Sequence, residues 1–295
     1  MPELPDITIY VEALERRLKD QVIEEVRLAS PFLLRTVEPP LDEAIGRRVR
    51  AVRRLGKRIL LGLEDDLWLV FHLMIAGRFH WKSPGAKLAG RHALAAFDFA
   101  EGSLTLTEFG PKKRASLHVV RGEAGLAEHD PGGIEVLDAD IDSFREALTR
   151  ENHTLKRTLT DPHLFSGIGN AYSDEILHRA RLSPKAMSTK LDAGEVERLY
   201  ESTRSTLSDW LERLRAEVGD GFPEAIKANH AGMAVHGRFN EPCPICATPV
   251  QRLRRQDSEC NYCPRCQTDG EILADRSTAE LFKRSRPRTI EDLAS

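Results

Sequence analysis

Long apolar stretches are missing from this chain of 295 residues: no run approaches the roughly 20 residues that a membrane-crossing helix needs, which excludes helical membrane spans. A leader is missing too. The opening Met-Pro-Glu-Leu-Pro-Asp has neither a basic nor an apolar segment, so the expected compartment is the cytoplasm. Cysteine is scarce, with five residues, and in a leaderless chain that argues against a disulfide framework. Positive charge is scarce in sum: 43 basic against 46 acidic residues leave a net −3 and a pI near 6.4. A nucleic-acid-binding domain is ordinarily flagged by a pI above about 9, so total charge alone does not suggest one. Internal repeats and low-complexity tracts are absent.

What is present reads as a soluble, globular chain of two domains, with 41% hydrophobic and 30% charged residues. The distribution of charge says more than its sum. Residues 47–58 carry seven basic and no acidic side chains, and residues 112–114 are Lys-Lys-Arg. Residues 122–142 carry seven carboxylates and no Lys or Arg. An acidic chain can still present a basic groove to phosphates. The alternative for the run at 47–58 is a solvated strand edge.

Hydrophobic spacing divides the chain. Ile7, Val11, Leu14 and Leu18 fall on one helical face, and Pro5 suits the first turn of that helix, where its missing N–H costs nothing. Short apolar or alternating segments at 59–63, 67–73, 92–100, 103–109 and 115–120 read as strands of a sandwich or barrel. The acidic stretch 122–149 reads as a linker and the start of a helical half. Leu199, Leu207, Leu211, Leu214 and Val218 mark a long helix that Gly219 ends. The expected division is therefore 1–121 as a β-sandwich, 150–226 helical, 227–268 a cysteine-bearing module, and 269–295 a polar tail.

Cys243 and Cys246 form one C-x2-C knuckle, and Cys263 and Cys266 form another, with sixteen residues between them. Two such knuckles supply four thiolates to one tetrahedral Zn2+, a closed and therefore structural site. The metal stands in for a core that about 40 residues cannot build. Arg252, Arg254 and Arg255 lie between the knuckles, on a hairpin suited to a phosphate backbone. Cys260 is left over.

Five stretches, in order, resemble the formamidopyrimidine-DNA glycosylase and endonuclease VIII family. They are Met1-Pro2-Glu3-Leu4-Pro5 before a helix; Lys57 ahead of an apolar strand; His72-Leu73 in HLMIAG, similar to the family's HLGMSG; FSGIGNAYSDEIL at 165–177, similar to its helix-two-turn-helix hairpin; and VHGRFNEPCPIC at 235–246, leading into the zinc finger. The resemblance runs from residue 2 to residue 266. It implies an α+β fold: an N-terminal β-sandwich with a leading helix, then a helix-two-turn-helix domain with a β-hairpin zinc finger. It also implies a damaged duplex DNA as partner, with the base flipped out, no organic cofactor, no membrane, a monomer, and a place on the nucleoid.

The resemblance assigns Pro2 as nucleophile. Removal of Met1 exposes a secondary amine, and an α-amino group titrates near 8, so a useful fraction is unprotonated at neutral pH. Attack on the sugar C1′ expels the base and leaves an iminium, which acidifies the C2′ proton and promotes β-elimination, with a δ step to follow. One group thus accounts for glycosylase and lyase activities. Glu3 is implied as general acid, against its reading as a helix N-terminal acid favoured by the dipole. Lys57 is implied as a phosphate ligand of the catalytic machinery. His72, Lys112, Lys113, Arg114, Asn170, Arg254 and Arg255 are expected to contact DNA. Glu175 matches a family acid near the lesion.

The chain departs from the family in several places. On the shared finger register, Ser258 stands where the family has arginine. The family's Asp-Pro-Arg-Arg-Phe-Gly loop has become Glu108-Phe-Gly-Pro-Lys-Lys-Arg114, and Met74 and Ile75 straddle the position of its wedging methionine. Met74 and Phe109 are the candidates to fill the hole left by a flipped nucleotide. The segment from Gly219 to Val235 is short, which points away from a loop-capped purine. Competing readings are a non-catalytic or abasic-site-only DNA-binding homologue, and a zinc-ribbon module in which Pro2 is incidental. The Pro2-Glu3 pair favours the enzyme over both.

Overall fold

A computed structural model describes residues 1–110, 112–224, 226, 229–255, 258–274 and 288–293, with the backbone alone for Arg255, Ser258 and Leu293. Residues 275–287 and 294–295 of the expected tail lie outside the described residues. The chain divides into two compact units, one of residues 1–131 with the segment from 210 on to 228, the other of residues 132–209 and 229–295.

The first unit is a sandwich of two four-stranded antiparallel sheets led by a helix. Helix α1 (Leu4–Leu18) begins at Glu3, whose side chain accepts from the Asp6 N–H while Asp6 accepts from the Glu3 N–H, a reciprocal cap. Strands β1 (Glu25–Leu28), β5 (Gly77–Lys82), β6 (Ala93–Phe99) and β7 (Gly102–Glu108) form one sheet in the order β1-β6-β7-β5. Strands β2 (Val49–Leu55), β3 (Arg58–Leu63), β4 (Leu67–His72) and β8 (Ser116–Arg121) form the other in that order. Ile59, Leu61, Leu69, Phe71, Leu117 and Val119 share a buried core with Phe79, Phe97, Leu104 and Leu106 of the facing sheet and with Ile7, Tyr10, Leu14 and Leu18 of α1.

The second sheet is apolar on both faces. Its alternate residues Leu60, Trp68, Val70 and Val120 pack beneath Leu126 of helix α2 (Gly122–Ala127). That double burial explains why β3 and β4 read as nearly continuous apolar runs rather than alternating ones. The strands missed in the sequence, β1, β2 and β5, are edge strands of their sheets with partly exposed patterns.

The basic run at 47–58 is largely resolved by β2 as an edge strand. Arg47 pairs with Glu43 and Asp65, Arg48 and Arg50 pair with Glu64, and Arg53 pairs with Glu123 while covering the Trp68 ring. The expectation of a basic groove made by this whole run is corrected: these arginines are neutralised by carboxylates of their own unit.

The second unit holds helices α3 (Ile141–Thr149), α4 (Leu155–Thr160) and α5 (Asn170–Ala180), with the start of α6 (Ala193–Val218). Asp140 caps α3 by accepting from Ser143 N–H at 2.8 Å. From Trp210 on, α6 belongs to the first unit, where Leu211, Leu214 and Val218 pack on Ile9. The single helix drawn from the sequence therefore serves both units, and Phe222 and Ile226 beyond it join the sandwich core. Gly219 ends the helix with φ +53° and bonds Arg215 O. The cysteine module follows, with hairpin β9 (Gln251–Arg255) and β10 (Ser258–Tyr262) and a short α7 (Pro264–Gln267).

Candidate active site and nucleic-acid interface

Within the first unit, the chain start is fixed by packing. Pro2 and Glu3 are buried, and Tyr10 of α1 meets Phe79 of β5 edge to face at 5.9 Å. Burial draws the terminal amine below its ordinary value; Arg78 and Lys57 act in the same direction, and Glu3 and Asp6 oppose it. In the unprocessed chain that amine is Met1's. Arg78 is a residue that sequence reasoning missed. Its Nη1 is held by Gly77 O at 2.6 Å and Ile75 O at 3.1 Å. It was invisible because contact between α1 and β5 is a tertiary fact.

His72, at the end of β4, is half-buried and pushed down to about 4 by burial and then by Arg58, Lys57 and His118. Its Nδ1 accepts from Met74 N–H at 3.1 Å, which places the imidazole proton on Nε2 as a donor. Lys57 sits in the turn between β2 and β3. Lys57, His72, Glu3 and the chain start thus belong to one neighbourhood in this unit.

The β7–β8 connection is shaped by Glu108. Its buried carboxylate accepts from Arg114 N–H at 2.9 Å and Ala115 N–H at 3.2 Å, folding the loop back on itself. Lys113 Nζ donates to Glu108 O. Lys112 and Arg114 are exposed. Phe109 stacks on His92 at 4.5 Å yet stays 60% exposed, and its N–H donates to Ala76 O at 3.2 Å. That bond sets it beside the turn carrying Met74, at φ +54°, and Ile75, 58% exposed. An apolar edge results, and it takes in Ile75 along with the two candidates named from sequence.

The second unit builds its own constellation. Asn170 starts α5 after a turn in which Gly167 takes φ +79°, a conformation glycine adopts without strain. Asn170 Nδ2 donates to Glu259 O of β10 at 2.7 Å. Glu175 accepts from the N–H groups of Ala234, Val235 and His236 at 2.6, 2.9 and 2.9 Å, while burial raises its pKa. Its two oxygens organise the approach to the first knuckle. Asp174 was missed in the sequence. It is buried and accepts from Lys156 Nζ at 2.6 Å, His236 Nδ1 at 2.7 Å and Asn261 N–H at 3.1 Å. Apart from its place in the hairpin stretch, nothing in the sequence marked it.

The four knuckle sulfurs lie within 4.8 Å of one another. Close pairs are Cys246–Cys263 at 3.4 Å and Cys243–Cys266 at 3.9 Å. A tetrahedron with metal–sulfur bonds of about 2.3 Å has edges of about 3.8 Å, so the donor set fits one tetrahedral metal ion. His178 Nε2 lies 3.3 Å from Cys243 Sγ, a neighbour of the kind that orients a ligand. Cys260 lies on β10 and is not among the four.

In the hairpin, Arg252 covers the Phe239 ring at 3.9 Å and pairs with Glu259. Arg254 is exposed. The backbone register sets Arg255 opposite Ser258, the position where the resemblance called for arginine.

Two family models match the chain: the formamidopyrimidine-DNA glycosylase N-terminal domain over residues 1–114 and the formamidopyrimidine-DNA glycosylase H2TH domain over residues 133–219. A formamidopyrimidine-DNA glycosylase of Heliobacterium modesticaldum is 33% identical over 277 residues, 90% of this chain and 100% of that protein. A formamidopyrimidine-DNA glycosylase-like protein of Mycobacterium tuberculosis is 38% identical over 160 residues, 54% of this chain and 99% of that protein. Among solved structures, MutM in complex with carbocyclic 8-oxo-G-containing DNA matches with a TM-score of 0.80 at 24% identity, over 90% of this chain and 100% of that one. A Lactococcus lactis Fpg complex with abasic-site DNA matches with a TM-score of 0.78 at 24% identity, over 90% and 99%. These two structures bear on the fold.

Proposed function

Because the chain belongs to the formamidopyrimidine-DNA glycosylase and endonuclease VIII family, and so among the DNA repair glycosylases, we propose that it is a bifunctional glycosylase and abasic-site lyase acting on oxidised bases in duplex DNA. The observation that carries this reading is the buried Pro2-Glu3 pair at the head of α1, beside a terminal amine drawn below its usual value. Loss of Met1 frees the Pro2 nitrogen as a new, secondary terminal amine, and in this reading the burial of Pro2 and the nearby Arg78 and Lys57 keep it neutral. A neutral secondary amine there attacks C1′, the base leaves, and Glu3 protonates the opening sugar ring. The resulting iminium draws electrons from the C2′–H bond, and the 3′ phosphate leaves by β-elimination, with δ-elimination following.

Lys57 and His72 in the first unit, and Asn170 in the second, hold backbone phosphates in this reading, joined by Lys112, Lys113 and Arg114 and by the hairpin arginines Arg254 and Arg255. Met74, Ile75 and Phe109 fill the space a flipped nucleotide leaves. The ion held by Cys243, Cys246, Cys263 and Cys266 is one structural Zn2+, which ties the hairpin together and takes no part in bond breaking. Glu175 serves the lesion side by fixing the backbone of residues 234–236. The protein works as a monomer on the nucleoid, with no organic cofactor.

The test is trapping by borohydride on an abasic-site duplex. Met-processed protein is expected to give a covalent adduct that Pro2→Gly or a retained Met1 abolishes. Binding without an adduct favours the non-catalytic homologue.

A further inference from the structure

One group of basic side chains in the first unit is left out of the pairing that neutralises Arg47, Arg48, Arg50 and Arg53. Strand register sets Arg58 opposite His72 and Val70 opposite His118, so these side chains share the face of the β2-β3-β4-β8 sheet that carries Leu60 and Trp68. At one end of that face the row is apolar and covered by α2. At the other end it turns basic. The chain leaving α2 then brings His129 over His118, with ring centroids 4.6 Å apart. Arg35 joins at the edge, since its N–H bonds Leu117 O beside His118.

Among the described residues, the side chains of Arg35, Arg58, His118 and His129 make no hydrogen bond or ion pair, although Arg58, His118 and His129 are half-buried. Half-buried nitrogen groups that no protein acceptor satisfies are left to water or to an incoming anion. Two imidazoles and a guanidinium group at one end of this face, with a second guanidinium at its edge, suit an anion with several acceptor oxygens. We propose that Arg58, His118 and His129, with Arg35 at their edge, form an anion site that takes a backbone phosphate of bound DNA. The inference rests on the DNA-repair reading above and extends its contact surface. Continuity favours DNA over a free anion, because Arg58 lies opposite His72 in the strand register, and Arg58 and His118 act electrostatically on His72, one of the expected phosphate contacts.

The surroundings of the empty site favour the neutral form of both rings. His118 is pushed down to about 4 by burial, then by His129, Arg58 and Arg35; His129 is lowered by burial and Arg58, against Glu128. Arg58 faces Asp130 as its carboxylate neighbour. A phosphate arriving among these groups favours the protonated rings, so binding takes up protons and strengthens as pH falls.

Two measurements on the full-length, zinc-loaded protein test this. Imidazole C–H resonances are followed against pH with and without inorganic phosphate, and duplex affinity is followed against salt and pH for wild type, His118→Asn/His129→Asn and Arg58→Gln. The proposal expects phosphate to raise the midpoints of both rings in wild type and not in Arg58→Gln. It expects the double variant to lose about one unit of the log–log salt slope. It also expects wild-type affinity to gain up to about tenfold per pH unit for each ring that takes up a proton between pH 7.5 and 5.5, a gain the double variant lacks. Rings indifferent to phosphate overturn it, and this arm needs no variant to fold. Rings that respond while the DNA slope and pH profile stay wild-type mark an isolated anion site and overturn it too. In either failure, a wild-type borohydride adduct leaves the glycosylase reading standing.

Discussion

Lys156 Nζ lies 2.6 Å from Asp174 Oδ1, with the carboxylate wholly buried and the lysine nearly so. The same lysine donates to Asn170 O and Ser173 Oγ, and the same carboxylate accepts from His236 and from Asn261 of β10. The pair thus joins α4, the start of α5 and the cysteine-module hairpin inside the second unit.

Removing one member leaves the other charged and buried. Lys156→Met is expected to cost about 3–5 kcal/mol of stability, and Asp174→Asn in the same chain to recover part of the loss. Denaturant unfolding of the zinc-loaded single and double variants checks this; equal stability of Lys156→Met and wild type contradicts it.

Glu3 caps α1 and is the proposed general acid, two roles that a pair of substitutions separates. Glu3→Gln keeps an oxygen for the Asp6 N–H and so preserves the cap of α1. It is expected to leave the thermal midpoint nearly unchanged while lowering base excision by about 10²–10⁴-fold through loss of the acid. Glu3→Ala should additionally cost about 1 kcal/mol. If Glu3→Gln excises bases at the wild-type rate, the residue is a helix cap alone.

Arg78 lowers the pKa of the Met1 amine, after burial, so in the processed chain its removal is expected to move the Pro2 amine upward. A higher pKa leaves less neutral amine at a given pH. Single-turnover adduct formation by Arg78→Gln should therefore rise at more alkaline pH than wild type, with the same plateau. A profile that does not move, or moves to lower pH, refutes the assignment.

The cysteine module has little other core: Val235 and Val250 are the buried aliphatic residues clustered with the four thiols. Metal analysis is expected to give one zinc per chain. Chelation or Cys243→Ser should unfold the hairpin and weaken duplex binding, while the far-UV signal of the sandwich persists. Full binding after complete metal removal contradicts a structural role.

The cysteine cluster and the leading helix were legible. The knuckle spacing placed Cys243, Cys246, Cys263 and Cys266, and the sulfurs do converge. Ile7, Leu14 and Leu18 announced α1 and are buried. Edge strands β1, β2 and β5 were harder, because a strand with one exposed side lacks the apolar runs of β3 and β4. The basic run misled for a related reason: Glu43, Glu64 and Asp65 approach it only once strands and turns are in place.

Local sequence determined what depends on short separations: helix faces, strand periodicity, the knuckles, the glycine-bearing turn before Asn170, and the Pro2-Glu3 start. Those features rest on backbone geometry and neighbours a few residues away. Tertiary structure decided which charges are paired and which are left over. Arg50 on β2 meets Glu64 in the turn after the neighbouring β3, Asp174 meets His236 across 62 residues, and Arg58 lies near His118 and His129 with no carboxylate bonded to it. Coulomb and desolvation energies depend on distance and burial, and neither is written in the order of the residues.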